Sequence, residues 1–318
     1  MKSIITLFLL TVSGLLQAQQ KDTVTFFIDG MDHTVEPKMA TYLRIGIRQD
    51  TMWRVYDLYL HGDKLRMQGW SKDDSLQVKH GPHEYFSKQG KLIEKGSYMN
   101  GRKLGLWKQF SENGRTIDST LYIDGMPAGT SYRYNENGTV ISKGEFDNEG
   151  KGNGTVVHYY ANGTVRDSGN YSQNQRTGVW YFYREDKSIA SDVTFEKDSA
   201  VSSHNFDMKG TLISSELIEV EASYPGGDNA WNKYLGNIIG KIYDRKDYLT
   251  YQGSCMIDFA VEKDGTIQYC DIVESSNDKL AEYAMSMIKK TKKWNAAVQY
   301  NLPVKAWRRQ RFTYYITE

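Results

Sequence analysis

Aromatic and polar positions alternate along most of the chain, and glycine turns interrupt the alternation at regular intervals. The stretch GTSYRYNENGTVISKGEF, which begins at Gly129, contains Asn137-Gly138, a pair typical of tight β-hairpin turns. Similar stretches begin at Gly105 and Gly154. The pattern therefore predicts a repeated β-hairpin, in which each unit is a strand, a glycine turn and a second strand.

Five units of this kind follow one another at a nearly constant spacing. Their first glycines are 24, 24, 25 and 24 residues apart, and each unit has one aromatic residue 5 positions and another 17 positions after that glycine. A single hairpin cannot bury its own apolar face, whereas stacked hairpins build a continuous core. We therefore expect the aromatic columns to form the core rather than a ligand-stacking surface. The first glycines are Gly81, Gly105, Gly129, Gly154 and Gly178.

Weaker units are expected on both sides of the five. Residues 62–71 resemble a partial unit, and residues 206–216 resemble a trailing unit. The fifth unit is degenerate because it has Lys187 at the turn apex. Residues 19–55 read as short strands that form an N-terminal β cap. The array itself is predicted to occupy residues 56–216.

The glycine and aromatic pattern between Gly81 and Phe195 resembles MORN repeats, especially the variant of the YwqK antitoxin-like family. The resemblance implies stacked β-hairpins. It also implies a scaffold or a binding surface, because arrays of this kind usually have that role.

The pattern changes after about residue 220. Apolar residues between Ala230 and Ile238 recur at helical spacing, and Asp228 is the expected N-cap of that helix. A second helix is expected after Asn277, with Leu280 and Ala284 on its apolar face.

A hairpin and a last strand complete this region. Alternating residues from Cys255 to Val261, followed by an Asp-Gly turn, predict the hairpin, and the spacing of Ile267 and Cys270 predicts a bulge in its second strand. LPVKAWRRQRFTYYITE supplies the last strand. The predicted fold is therefore mainly β, with an array of stacked hairpins followed by an α+β domain of two helices and three strands.

Residues 222–318 resemble a TonB C-terminal domain, in the form found in Bacteroidota-type, energy transducer TonB-like proteins. The resemblance is carried by YPGG, VEKDGTI, KKTKKWNAA and LPVKA, in that order along the chain. One departure is that the chain has Tyr243-Asp244 where the family has a Tyr-Pro pair.

The resemblance implies a partner and a binding mode. TonB C-terminal domains bind an extended segment of an outer-membrane receptor as an added strand at the edge of their sheet, in TonB-dependent transport. The alternative is a periplasmic scaffold that binds another envelope protein or a cell-wall glycan without energy transduction. The family's partner-binding edge strand corresponds to Arg311, Phe312, Thr313, Tyr314 and Tyr315 of this chain.

The first 18 residues read as a secretory signal peptide. The apolar run from Ile4 to Leu16 is 13 residues long, and as a helix it would span only ~20 Å of a hydrocarbon core of ~30 Å. The alternative is an uncleaved membrane anchor. We therefore expect an exported, periplasmic protein, with association with the envelope membranes left open.

Charge and residue types exclude several classes of function. Lys+Arg number 40 and Asp+Glu 39, so the chain lacks the basic excess of a nucleic-acid-binding protein. No nucleophile elbow, phosphate loop or Cys-x-x-Cys pair is present, and His80 and His83 read as a solvated turn rather than a metal site. We expect neither an enzyme nor a cofactor or metal protein, and a homodimer remains open.

The two cysteines are expected to be buried free thiols. Across the predicted hairpin, Cys270 lies roughly opposite Phe259, and Cys255 is then ~13 Å away along its strand. A disulfide requires Cα atoms within ~7 Å of each other.

Overall fold

The computed structural model describes residues 22–60, 62 and 64–316, so the predicted signal peptide lies outside the described residues. The chain is mainly β and forms two compact units. Among the described residues, the first unit extends to Gly178 and includes Glu196–Ser199, and the second comprises Val179–Phe195 and the residues from Ala200 onwards.

Strands of the first unit pair in chain order, each antiparallel to the next, as stacked hairpins require. A short 3₁₀ helix, Pro37–Met39, follows the first strand. The strands are β1 (Thr23–Ile28), β2 (Tyr42–Gln49), β3 (Met52–Tyr59), β4 (Leu65–Ser71), β5 (Gly81–Phe86), β6 (Leu92–Met99), β7 (Arg102–Phe110), β8 (Thr116–Ile123), β9 (Met126–Tyr134), β10 (Val140–Phe146), β11 (Gly154–Tyr159) and β12 (Val165–Ser172). The predicted hairpin array is confirmed.

Two kinds of turn alternate along this array. At the predicted glycine turns, as at Gly90, the glycine has a φ of 82° and its N–H donates to the carbonyl three residues earlier. The opposite ends carry two-residue turns such as Asn100-Gly101, with φ of 51° and 81°, which suit the twist of paired strands. Asn100-Gly101 and Asp124-Gly125, which form two of these turns, are themselves hairpin signals in the sequence.

Basic side chains connect successive glycine turns. The Nζ atoms of Lys64 and Lys91 donate to backbone carbonyls of the next turn at 2.9 and 2.6 Å, and Arg115 Nη1 does the same at 3.0 Å. These contacts join hairpins that follow one another in the stack.

In the first two units the most buried ring lies two positions after the first glycine. Phe86, Phe110 and Tyr98 of the predicted aromatic columns are only half-buried, whereas His83 is 1% exposed and Trp107 is 2% exposed. The His83 ring packs on Gly69 of β4, and the Trp107 ring packs on Gly96 of β6. In these units the aromatic columns therefore line the margin of the core, whereas Phe195 of the fifth unit is 1% exposed. The interpretation of His83 as part of a solvated turn is wrong.

His83 is expected to make stability depend on pH. Burial, with the positive charges of Lys79 and Arg44, lowers the pKa of His83 from 6.5 to about 4. Between about pH 4 and pH 6.5, His83 is therefore protonated in the unfolded chain but neutral in the folded chain. Stability should be complete above pH 6.5 and fall by at most about 1.4 kcal/mol per pH unit as the pH drops towards 4.

Urea unfolding between pH 7 and pH 4 measures this dependence. A His83→Phe chain keeps a ring in place and should lose the His83 contribution to the slope. The matched control is His33→Gln, because the His33 side chain is 69% exposed. Equal slopes in the His83→Phe and wild-type chains would contradict the prediction.

The second unit contains the last hairpins and the α+β domain. Strand β13 (Gln175–Tyr183) begins in the first unit and ends in the second. The other elements are β14 (Ile189–Glu196), β15 (Ser199–Phe206), β16 (Leu212–Ser214), β17 (Glu219–Val220), α1 (Gly227–Tyr243), a 3₁₀ helix (Tyr248–Tyr251), β18 (Gly253–Val261), β19 (Ile267–Ser275), α2 (Asp278–Lys289), β20 (Ala297–Gln299), β21 (Leu302–Val304) and β22 (Ala306–Tyr314). At the turn apex of the fifth unit, Lys187 stands where the other units have glycine. Lys187 adopts the same left-handed conformation, with a φ of 73°, and the fifth hairpin still forms.

Both helices pack on the sheet formed by β18, β19 and β22, and their predicted apolar faces are buried or half-buried in one core. Asn277 lies at the start of α2, as predicted, and it caps the helix, because its side chain accepts from the N–H of Leu280 at 3.0 Å. Asp228 is not the N-cap of α1. Gly226 holds that position with a left-handed φ of 96°, which the Pro-Gly-Gly turn provides, and Asp228 lies in the first helical turn.

Cys255 and Cys270 are buried and free, as predicted. Cys255 pairs with Ser275, and a register shift occurs between Asp258 and Ala260. The extra residue on β19 accounts for the predicted bulge, where Tyr269 has a φ of 51°. Burial raises the pKa of the Cys255 thiol to about 11, so this thiol is a poor nucleophile.

Within the second unit, the turn between β20 and β21 packs against the last hairpins. Asn301 Nδ2 donates to the carbonyls of Ala190 and Phe206 at 2.8 and 3.0 Å, and the Tyr300 ring lies 4.6 Å from that of Phe182. A fragment that began near residue 220 would lose these contacts.

Candidate functional site: a free strand edge

The candidate site is one edge of the three-stranded sheet of the second unit. The strand order is β19, β18, β22, so β18 is central. β22 pairs with β18 without interruption from Gly253↔Tyr314 to Val261↔Ala306. Among the described residues no strand pairs with the other side of β22, which makes it an edge strand.

The hydrogen bonds of Ser254 determine which backbone groups of β22 are free. The N–H of Ser276 donates to the carbonyl of Ser254, and the N–H of Ser254 donates to Ser276 Oγ, both at 2.9 Å. Both backbone groups of Ser254 therefore point towards the end of β19 and away from β22. In an antiparallel ladder, the partner of such a residue forms a non-hydrogen-bonded pair with it. Thr313 is that partner, so its N–H and C=O point to the free side.

Alternation along β22 then divides the predicted site residues into two groups. Arg311 and Thr313 present backbone groups to the free edge, whereas the backbones of Phe312 and Tyr314 face β18. The side chains of Phe312 and Tyr314 are 3% and 1% exposed and belong to the core. Tyr315 lies beyond the end of β22 and is exposed.

Arginines on the edge strand are already paired. Arg309 donates to both oxygens of Asp258 at 2.6 and 2.7 Å, and this contact lowers the pKa of the Asp258 carboxyl below its ordinary value. Arg311 lies 3.5 Å from Glu274. The edge therefore offers backbone groups without a strong local excess of charge.

The Gln310 side chain covers part of the edge. Its Oε1 accepts from the indole N–H of Trp231 at 2.9 Å, and its Nε2 donates to the carbonyl of Arg311 at 2.7 Å. A carbonyl oxygen has two lone pairs, so Arg311 can accept a second bond. Such side-chain cover protects an exposed edge against unspecific pairing.

A cleft of about 650 Å³ opens at the beginning of β22. Its apolar lining includes Val220, Val298, Val304 and Trp307. The cleft could not be predicted from the sequence, because its walls come from β17, β20, β21 and β22, and no local pattern connects these segments.

Two further features are absent from the described residues. No group of three or more metal-ligating side chains occurs in the described part of the chain. Among the same residues, no helix has the length and apolar character needed to cross a bilayer.

Comparisons with known families agree with this architecture. Residues 245–316 match the family described as Gram-negative bacterial TonB protein C-terminal. Residues 79–100 and 128–148, which lie in the first and third units of the array, match the MORN repeat variant. No match was found among the curated proteins. The chain therefore contains a TonB C-terminal domain and MORN-type repeats, as the sequence predicts.

Proposed function

We propose that the TonB C-terminal domain of this chain binds an extended segment of an outer-membrane receptor as a strand added to β22, and that it serves TonB-dependent transport. The observation that carries the proposal is the row of outward-facing backbone groups at Arg309, Arg311 and Thr313. Main-chain hydrogen bonds supply affinity in this mode, and side-chain contacts supply specificity.

The proposed location follows from the domain family, which acts in the Gram-negative envelope. We place the exported protein in the periplasm, where the segments of outer-membrane receptors that face inwards are accessible. The repeats would then act as a scaffold that presents the C-terminal domain. The competing proposal is a scaffold that binds an envelope protein or a cell-wall glycan through the repeats, without energy transduction.

Proline substitution tests the backbone pairing. Thr313→Pro removes an N–H that faces the free edge and should weaken peptide binding at least about tenfold, since proline cannot donate to a ladder. Thr313→Ala changes only the side chain and should alter affinity by less than about twofold, within the exposed-surface range of ±0.5 kcal/mol. Gln310→Pro should instead disturb folding, because that N–H faces β18.

The measurement uses the full mature chain and peptides that tile the periplasmic segments of the host's outer-membrane receptors. Circular dichroism of Thr313→Pro must match the wild type, so that lost binding is not lost folding. If no peptide binds the wild-type chain at millimolar concentration, where about 4 kcal/mol of affinity would be detected, the receptor proposal fails and the scaffold proposal remains.

A further inference from the structure

We propose that the cleft at the beginning of β22 holds one large apolar side chain of the added strand, and that Trp307 selects this side chain. The inference rests on the proposed function and names the chemistry of the partner at one position. The occupant is an extended peptide with a leucine-, isoleucine- or phenylalanine-sized residue opposite Trp307.

Trp307 combines a free backbone with an exposed ring. Trp307 pairs with Ala260 of β18, which lies six residues after Ser254. Because the backbone groups of a strand alternate with a period of two, the N–H and C=O of Trp307 face the free side like those of Thr313. The side chain of Trp307 is 58% exposed and also lines the cleft. A strand that pairs with β22 at Trp307 would therefore place a side chain beside the indole.

The indole is held in position by its neighbours. The Tyr269 ring lies 6.4 Å from it, and Lys305 Nζ lies 5.6 Å from the indole and 4.0 Å from the Tyr269 ring. Lys305 is in turn paired with Glu262 at 2.9 Å. An ordered, exposed tryptophan loses little freedom on binding, and tryptophan is enriched among the residues that dominate binding energy.

Charges around the cleft disfavour an anionic occupant. Arg308 pairs with Glu221 at 2.6 Å, and Arg309 pairs with Asp258. An anionic peptide side chain would have to break one of these pairs or remain without a partner, and it would also meet the Glu219 carboxylate that lines the cleft. An apolar side chain would instead meet Val220, Val298 and Val304.

A double-mutant cycle on the full chain tests the inference. The probe is the tightest-binding peptide from the tiled receptor segments, together with versions in which each large apolar residue in turn is replaced by alanine. We expect one such position to weaken wild-type binding at least about tenfold, as hot-spot truncations do. Trp307→Ala should cause a similar loss, and the two losses should not multiply, because they remove the same contact.

Matched variants separate this contact from general damage. Leu249→Ala removes an apolar side chain that is 57% exposed and does not line the cleft, so it should leave affinity unchanged. Trp307→Phe should retain part of the affinity. Glutamate at the anchor position should bind worse than alanine.

The outcomes distinguish the two proposals. If Thr313→Pro weakens binding while Trp307→Ala does not, or if the two losses multiply, the anchor inference is overturned and strand addition stands. If no peptide binds the wild-type chain, or if Thr313→Pro binds as well as wild type, strand addition itself is overturned, and the anchor inference falls with it.

Discussion

Replacing Asp57 by alanine is expected to reduce the free energy of unfolding of the first unit by about 3–5 kcal/mol, the range for a buried charge that loses its partner. Asp57 is 0% exposed and accepts from Arg44 Nε and Nη2 at 2.8 and 2.9 Å. Arg66 Nη1 donates to the same carboxylate at 3.0 Å. Without Asp57, the Arg44 guanidinium, which is 1% exposed as a residue, would lose its two-bond contact inside the core.

The rest of the ionic cluster cannot replace this carboxylate. Asp32 lies 3.2 Å from Arg44, but its side chain is 27% exposed and it also pairs with Arg66 and Lys79. A third cation already shares the Asp32 carboxylate, so removal of Asp57 leaves three positive groups around one negative group. The cost should therefore remain near that of a broken buried pair.

The matched control is Glu149→Ala. Glu149 pairs with Lys151 at 2.6 Å, but the two side chains are 64% and 63% exposed, and exposed pairs contribute about 0–1 kcal/mol. Hydrogen exchange of peptides from β2 to β4, together with urea unfolding at pH 7, measures both variants. Similar losses in Asp57→Ala and Glu149→Ala would contradict the argument from burial.

The array could be predicted from sequence because its signals are local. Alternation with a period of two specifies strands, and pairs such as Asn137-Gly138 specify turns, so neither depends on distant contacts. The depth of each column could not be predicted in the same way. Alternation distinguishes two faces, but the deepest position holds histidine in one unit and tryptophan in the next, so no repeated residue marks it.

The candidate site was predictable only as a strand. Resemblance to a known domain indicated residues 311–315, yet it could not say which backbone groups are free. That division depends on the register of β22 with β18 and on the bonds between Ser254 and Ser276, which join segments far apart in sequence. The N-cap of α1 shows the same limit. The left-handed conformation of Gly226 makes it the N-cap, two residues before the predicted Asp228.

Trp107→Ala is expected to destabilise the first unit by about 3–5 kcal/mol, the usual cost of removing a buried tryptophan or phenylalanine. Trp107 is 2% exposed, and its indole N–H donates to the carbonyl of Ser97 at 3.0 Å. Lys103 Nζ lies 4.0 Å from the indole, and the Tyr98 ring lies 4.8 Å from it. Truncation would leave a cavity and would remove the hydrogen bond to the Ser97 carbonyl.

The neighbouring residue on the same strand provides the control. Leu106 is 52% exposed and points away from the core, so Leu106→Ala should change the free energy of unfolding by no more than about 0.5 kcal/mol. Urea unfolding followed by circular dichroism compares the two variants without relying on tryptophan fluorescence. Hydrogen exchange of β6 and β7 peptides then shows whether the loss is local.

Substitution of Gly96 permits a sharper test, because whether it stabilises or destabilises the fold should depend on the presence of Trp107. A Cβ atom at Gly96 would lie 2.2 Å from the Trp107 ring, although the backbone of Gly96 is not left-handed and accepts other residues. Gly96→Val should therefore strongly destabilise the wild-type chain by displacing the indole. In the Trp107→Ala chain the same substitution should fill part of the cavity and be neutral or stabilising. Additive effects of the two substitutions would contradict the packing of this ring on the strand glycine, since residues in contact are expected to couple.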